Sequence, residues 1–116
     1  MSAPHIAVAI LATLPFLVLG TAKITGRARM PERAAHLGFT TAAYRRIGTL
    51  ELLGAAGLLT GLALPALGLL AAACLLALLL IAIVLHLRNG DGLRSVAAAL
   101  VSALLVVGYG VSVVIG

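Results

Sequence analysis

Tryptophan is absent, cysteine occurs once, and the 116 residues hold only three acidic side chains. One cysteine, Cys74, permits no internal disulfide, which excludes a secreted disulfide scaffold. Charged residues make up 9% of the chain and hydrophobic ones 63%, against roughly 25% and 45–50% in an ordinary soluble domain. A small soluble protein has much surface for its volume and needs polar residues to cover it. This chain cannot do so, and its mean hydropathy of +1.24 equally excludes a disordered tail. The net charge of +5 and pI of about 10.8 would suggest nucleic acid in a soluble chain, but two Phe and two Tyr supply too few rings for base stacking. No nucleic-acid partner is expected. What is left is an integral membrane protein, with the lipid bilayer as its first partner.

What the chain does have is four long apolar runs. They cover residues 6–22, 47–64, 66–87 and 95–116, with lengths of 17, 18, 22 and 22. A membrane span needs roughly 20 apolar residues, within about 17–25. Extended into their polar flanks, the runs read as spans over about 4–22, 42–64, 66–87 and 94–115 of one domain covering 1–116. They are continuous and rich in Leu and Ala, unlike the alternating strands of a β-barrel. The first run lacks a basic leader and a small-x-small cleavage site, so it reads as a retained span. The expected fold class is all-α, a bundle of four transmembrane helices.

All eight basic residues fall between runs one and two or between runs three and four. The first of these loops holds Lys23, Arg27, Arg29, Arg33, Arg45 and Arg46; the second holds Arg88 and Arg94. The positive-inside rule then places both loops in the cytoplasm and both termini outside, in a bacterial cytoplasmic membrane. Within the first loop, Pro31 suits a helix start and Gly38 a helix end. This predicts a short interfacial helix over 31–37, with Met30, Ala34 and Leu37 toward lipid and Arg33 and His36 facing out. Thr40 or Thr41 should cap the second span, Pro65 should start the third, and 89–92 (Asn-Gly-Asp-Gly) reads as a tight reversal.

Ionisable groups in or near the spans carry the functional signal. Lys23 ends span one, Arg45, Arg46 and Glu51 open span two, and His86 ends span three. With alternating directions all lie at one end of the bundle. Glu51 is the sharpest, because at about 1.5 Å per residue it sits roughly 7–8 Å deeper than Arg46. It shares a helix face with Tyr44, Gly48, Ala55 and Leu58. Arg46 is about 140° round the same helix, so Lys23 or His86 from another helix is the better partner; the expectation is a polar contact, direct or through water, with Lys23, Arg46 or His86. Two readings stand: a buried ion pair that fixes register, or a ligand, proton or substrate site. His86 reads as a general base, a metal or haem ligand, or a helix-end residue that caps carbonyls or pairs with Glu51. With no second ligand in the runs, no metal site is assigned. Arg45 and Arg46 either bind an anionic group or anchor the cytoplasmic face. Gly48, Gly54, Gly57 and Gly61 line span two, for close packing or to leave room for a ligand beside Glu51. Tyr109, between Gly108 and Gly110, reads as an interface anchor, and Cys74 as an apolar filler.

Four stretches together resemble the DoxX-like family of small four-helix membrane proteins. They are Gly20-x2-Lys23, Leu37-Gly38, Arg46-Ile47-Gly48-x2-Glu51-Leu52-x-Gly54-x2-Gly57-Leu58 and His86-Leu87-Arg88. The resemblance runs from about Leu14 to the fourth span and is most specific at Arg-Ile-Gly-x2-Glu. It implies the four-helix fold and a signature site of Lys23, Arg46, Glu51 and His86. The family takes its name from a subunit associated with an archaeal quinol oxidase, and other relatives look redox-linked or chaperone-like. The alanine-rich, lysine-poor composition is similar to that of proteins from high-GC bacteria.

Three functions are compatible with these residues. One is an accessory or binding protein that holds a quinone-like or other lipophilic molecule, or a partner subunit, and is linked to membrane redox or assembly. Another is a membrane-embedded enzyme with Glu51 and His86 as acid and base on a small lipophilic substrate, in an isomerase, epoxide-opening or cyclase reaction. In either case Lys23, Arg45, Arg46, Gly48 and Gly54 would line the ligand site. The third, a proton-coupled multidrug-type transporter, fits poorly with polar residues confined to one end. No cofactor is named by any motif, and small-residue faces allow a homo-oligomer.

Overall fold

The structure, a computed structural model, describes residues 3–26 and 30–115. Arg27 and Arg29, and the side chain of Met30 assigned above to lipid, lie outside what it describes. The described residues form five helices: α1 (Ala3–Thr25), α2 (Met30–His36), α3 (Thr41–Thr60), α4 (Pro65–Arg88) and α5 (Leu93–Ile115).

Local chemistry sets the boundaries. Gly38, at φ 87°, ends α2: the Phe39 amide donates to the Ala34 carbonyl at 2.8 Å and the Gly38 amide to that of Ala35 at 3.0 Å. This crossed pair satisfies carbonyls that the helix end leaves without partners, and it needs the left-handed residue that glycine tolerates. Thr40 caps α3 by accepting from the Ala43 amide at 3.0 Å, and Pro65 stands in the first turn of α4. The second span was expected to reach residue 64. The α3 helix instead stops at Thr60, because 61–64 turn ahead of Pro65.

The four long helices alternate in direction and pack in a ring: α1 lies against α3 and α5, and α4 against α3 and α5. Three of them, α1, α4 and α5, are long and apolar enough to cross a membrane. The α3 helix is not among these, since its 20 residues include Arg45, Arg46 and Glu51. Its buried face comprises Tyr44, Gly48, Glu51, Gly54, Ala55, Gly57 and Leu58, the stripe read from the sequence plus two glycines.

Those glycines set the spacing. On one side of α3, a Cβ on Gly48 would stand 2.8 Å from the Gly20 carbonyl oxygen and 2.8 Å from Lys23 Cβ, so α1 and α3 touch backbone to backbone. On the other side, Gly54 receives Leu75 and Gly57 receives Ala71, where a Cβ would meet their side chains at 2.5 and 2.6 Å. Gly61 meets Gly68 beside the Tyr109 hydroxyl.

The core fills the half of the ring nearest the α3–α4 hinge. Ala9, Ala12, Phe16, Ala55, Leu58, Ala71, Ala72, Leu75, Val106 and Tyr109 form one buried cluster there. Tyr109 is completely buried, and its hydroxyl donates to the Leu58 carbonyl at 2.8 Å. It is therefore a core residue and not an interface anchor: Gly61 and Gly68 leave the space that its hydroxyl end occupies. Large apolar side chains such as Leu53, Leu70, Leu80, Leu104 and Val114 stay exposed round the outside, the inverse of a soluble protein and the surface a bilayer covers.

Candidate functional site

At the opposite, basic end the helices leave a cleft of about 710 Å³, bordered by all five of them. Its walls are apolar over most of their extent, from Phe16 and Leu19 on α1 to Leu78, Leu79, Ile81 and Leu85 on α4. The volume lies in the roughly 300–1,000 Å³ range of small-molecule sites.

Glu51 is the buried carboxylate of this wall. Its residue is 5% exposed, and Lys23, from α1, donates to its Oε1. Both lie in the tight α1–α3 seam made by Gly20 and Gly48, which fixes how the two side chains meet. The Lys23 ammonium also stands 4.8 Å from the centroid of the Tyr44 ring, a cation–π contact, and Tyr44 stacks on Phe39 at 5.9 Å. Lys23 is thus held from two sides. Glu51 Oε2 is buried and has no hydrogen-bond partner among the described residues.

The rim carries a second cluster. Asp91, in the α4–α5 turn, accepts from His86 Nδ1 at 2.6 Å and from His36 Nε2 at 2.5 Å, one imidazole on each carboxylate oxygen. A carboxylate only accepts, so it fixes the protonated nitrogen of each ring. The hydrogen bonds from His86 and His36 hold the Asp91 carboxyl below the usual carboxylate range. Gly90, at φ 68°, turns the chain so that the Asp91 amide donates back to the His86 carbonyl at 2.9 Å. Because His36 ends α2, the cluster ties that short helix to the far side of the cleft. Ala34 of α2, expected toward lipid, is instead 1% exposed and packs with Tyr44. It anchors α2 on the ring, while Arg33, His36 and Leu37 border the cleft.

Among the residues singled out from sequence, Lys23 and Glu51 meet, and both border the cleft with His86. His86 takes Asp91 as its hydrogen-bond partner, not Glu51. Arg45 and Arg46 are exposed on the outer side of α3 and are not part of the cleft wall. Gly48 and Gly54 are filled by neighbouring helices, so their space goes to packing. Sequence reading passed over Asp91, taking it only as a turn residue; its place five residues after His86, across a glycine, was the available signal. At the hinge end, His5 Nδ1 lies 2.6 Å from Ser112 Oγ. The Ser112 hydroxyl already donates to the Tyr109 carbonyl at 2.7 Å, so the imidazole is the donor. No group of three or more His, Cys, Asp or Glu side chains suited to a metal ion occurs among the described residues.

The DoxX-like family model matches residues 7–109, most of the chain. No curated protein and no solved structure matches it. The chain belongs to the DoxX-like family, and its apolar helices make it a multi-pass membrane protein in contact with the lipid bilayer.

Proposed function

We propose that this member of the DoxX-like family is a lipophilic-ligand-binding or accessory protein of a bacterial cytoplasmic membrane. In this reading α3 crosses the bilayer with α1, α4 and α5, completing a four-helix bundle. The basic end faces the cytoplasm and both termini face outside. Three charges in α3 are tolerable in a span because Arg45 and Arg46 stand in its first turns and Glu51 is paired with Lys23. The link to membrane redox chemistry or assembly that the family resemblance implies belongs to the same reading.

One observation carries it: a buried carboxylate with one oxygen unpartnered, on the wall of a cleft whose walls are mostly apolar by area. An acceptor left unpaired away from water costs free energy that a bound molecule recovers. Small-molecule sites are built this way, from apolar walls with a few fixed polar groups. The second reading is an enzyme with Glu51 and His86 as acid and base, favoured by their both bordering one cleft; its substrate would occupy the same place.

Ala82, on the cleft wall, provides the test. Wild type and Ala82→Phe are purified from the same membranes in mild detergent, and their organic extracts are compared by mass spectrometry. The expected result is a lipophilic compound enriched with wild type and depleted from the filled variant. The same bulk phospholipid profile from both, with both folded by circular dichroism, would overturn the reading.

A further inference from the structure

We infer that the cleft selects a neutral, mostly apolar molecule that carries one hydroxyl-type donor, an alcohol or a phenol, and that this donor binds Glu51 Oε2. The inference rests on the binding reading above and specifies its ligand.

The charge of the ligand follows from the charges already present. Lys23, Arg33 and Arg94 border the cleft, and so do Glu32, Glu51 and Asp91, three formal positive charges against three negative. The Lys23–Glu51 pair is the buried part of this set. Both oxygens of Asp91 are taken by His36 and His86. A cation or an anion brought to Glu51 would unbalance a neutral pair in a poorly solvated place, which is costly. A neutral molecule does not.

The polar group of the ligand follows from the atom that lacks a partner. Oε1 is used by Lys23, and Oε2 is an acceptor with nothing donating to it among the described residues. Its complement is an O–H donor; a ketone, ether or ester oxygen would face lone pair with lone pair. Oε2 is covered by protein atoms in this conformation. To meet a ligand the carboxylate turns about χ3, a broad torsion in Glu, and the flexible Lys23 ammonium follows Oε1. The body of the ligand then lies along Phe16, Leu19, Leu78, Leu79 and Leu85, which offer carbon only. A ligand of the same shape without the donor leaves Oε2 unpaired, a difference of roughly tenfold or more in affinity.

The probes are 4-phenylphenol and its methyl ether, 4-methoxybiphenyl, which share a body and differ in the donor. Binding to the full-length chain in detergent micelles is followed by titration calorimetry and by the shift in unfolding midpoint. Wild type should bind the phenol at least about tenfold more tightly than the ether. In Glu51→Gln an amide that keeps its oxygen on Lys23 presents N–H groups to the cleft, so the preference should vanish or favour the ether. Thr49→Ser, on the exposed side of α3 and away from the cleft wall, should keep the phenol preference and serves as the folded control should Glu51→Gln misfold. Equal binding of both probes to wild type would overturn donor recognition while leaving a binding cleft. So would a phenol preference that survives in Glu51→Gln or is lost in Thr49→Ser. Should neither probe bind while Ala82→Phe still depletes a co-purifying compound, the inference falls and the binding reading stands. Should that depletion also fail, both fall.

Discussion

Gly20 and Gly48 face one another across the α1–α3 seam with no room for a methyl group on either: a Cβ on Gly20 would lie 2.9 Å from the Gly48 carbonyl oxygen. The obstacle is backbone, which cannot swing aside. Gly48→Ala should therefore cost about 1–3 kcal/mol, seen as a lower unfolding midpoint in detergent. Gly108→Ala, where a Cβ would meet only Val8 at 4.0 Å, should be neutral or gain up to about 1 kcal/mol from helix propensity. Equal effects at the two positions would show that the seam is looser than described.

The ion pair that this seam positions should be more costly to break than to replace. Lys23→Met leaves a buried carboxylate uncompensated and should destabilise by about 3–5 kcal/mol. The double variant Lys23→Met/Glu51→Leu removes both charges and should recover most of that loss. Chemical denaturation of the three proteins in one detergent measures this. A double variant as unstable as Lys23→Met alone would place the cost in lost packing.

Asp91 ties α2 across the cleft, and its contribution should depend on pH with a definite sign. Its pKa is lowered in the folded chain, so the stability it adds is present above the ordinary Asp value of about 3.9. That stability is lost as pH falls through the lower, folded value. Asp91→Asn, which can accept from one imidazole fewer, should lower the midpoint by a few degrees at neutral pH. The gap between wild type and variant should close toward pH 3. A gap that stays fully open once the carboxylate is protonated would mean that the contribution does not come from its charge.

The path of α3 is open to direct labelling. In a Cys74→Ala background, an impermeant maleimide added to intact cells should label Ala63→Cys, just after α3. It should not label Glu32→Cys, before α3, until the membrane is opened. The opposite pattern would invert the orientation. Equal labelling of both from outside would show that α3 does not cross.

Features set by a few adjacent residues were legible in the sequence. The Thr40 cap, the Gly38 stop, the Pro65 start and the buried stripe from Tyr44 to Leu58 all follow from local rules, since each needs only its own helix to be satisfied. Tyr109 was misjudged because its slot is built by Gly61, in the turn after α3, and Gly68, on α4. Ala34 was misjudged because a short helix shows which side is apolar but not whether lipid or protein covers it. The Lys23–Glu51 contact was foreseeable as an energetic need. The His36–Asp91–His86 cluster was not, because it depends on how α2 folds back over the turn between α4 and α5.

The filled hinge end has a further consequence. With Tyr109, Leu58, Leu75 and Val106 packed solid on one side and the cleft at the other, the molecule is a cup and not a tube. In the proposed binding reading, a ligand that enters from the basic end leaves by the way it came or sideways between helices. On that reading the His36–Asp91–His86 contacts that hold α2 across the cleft bear on how long a ligand stays and not on which way it travels.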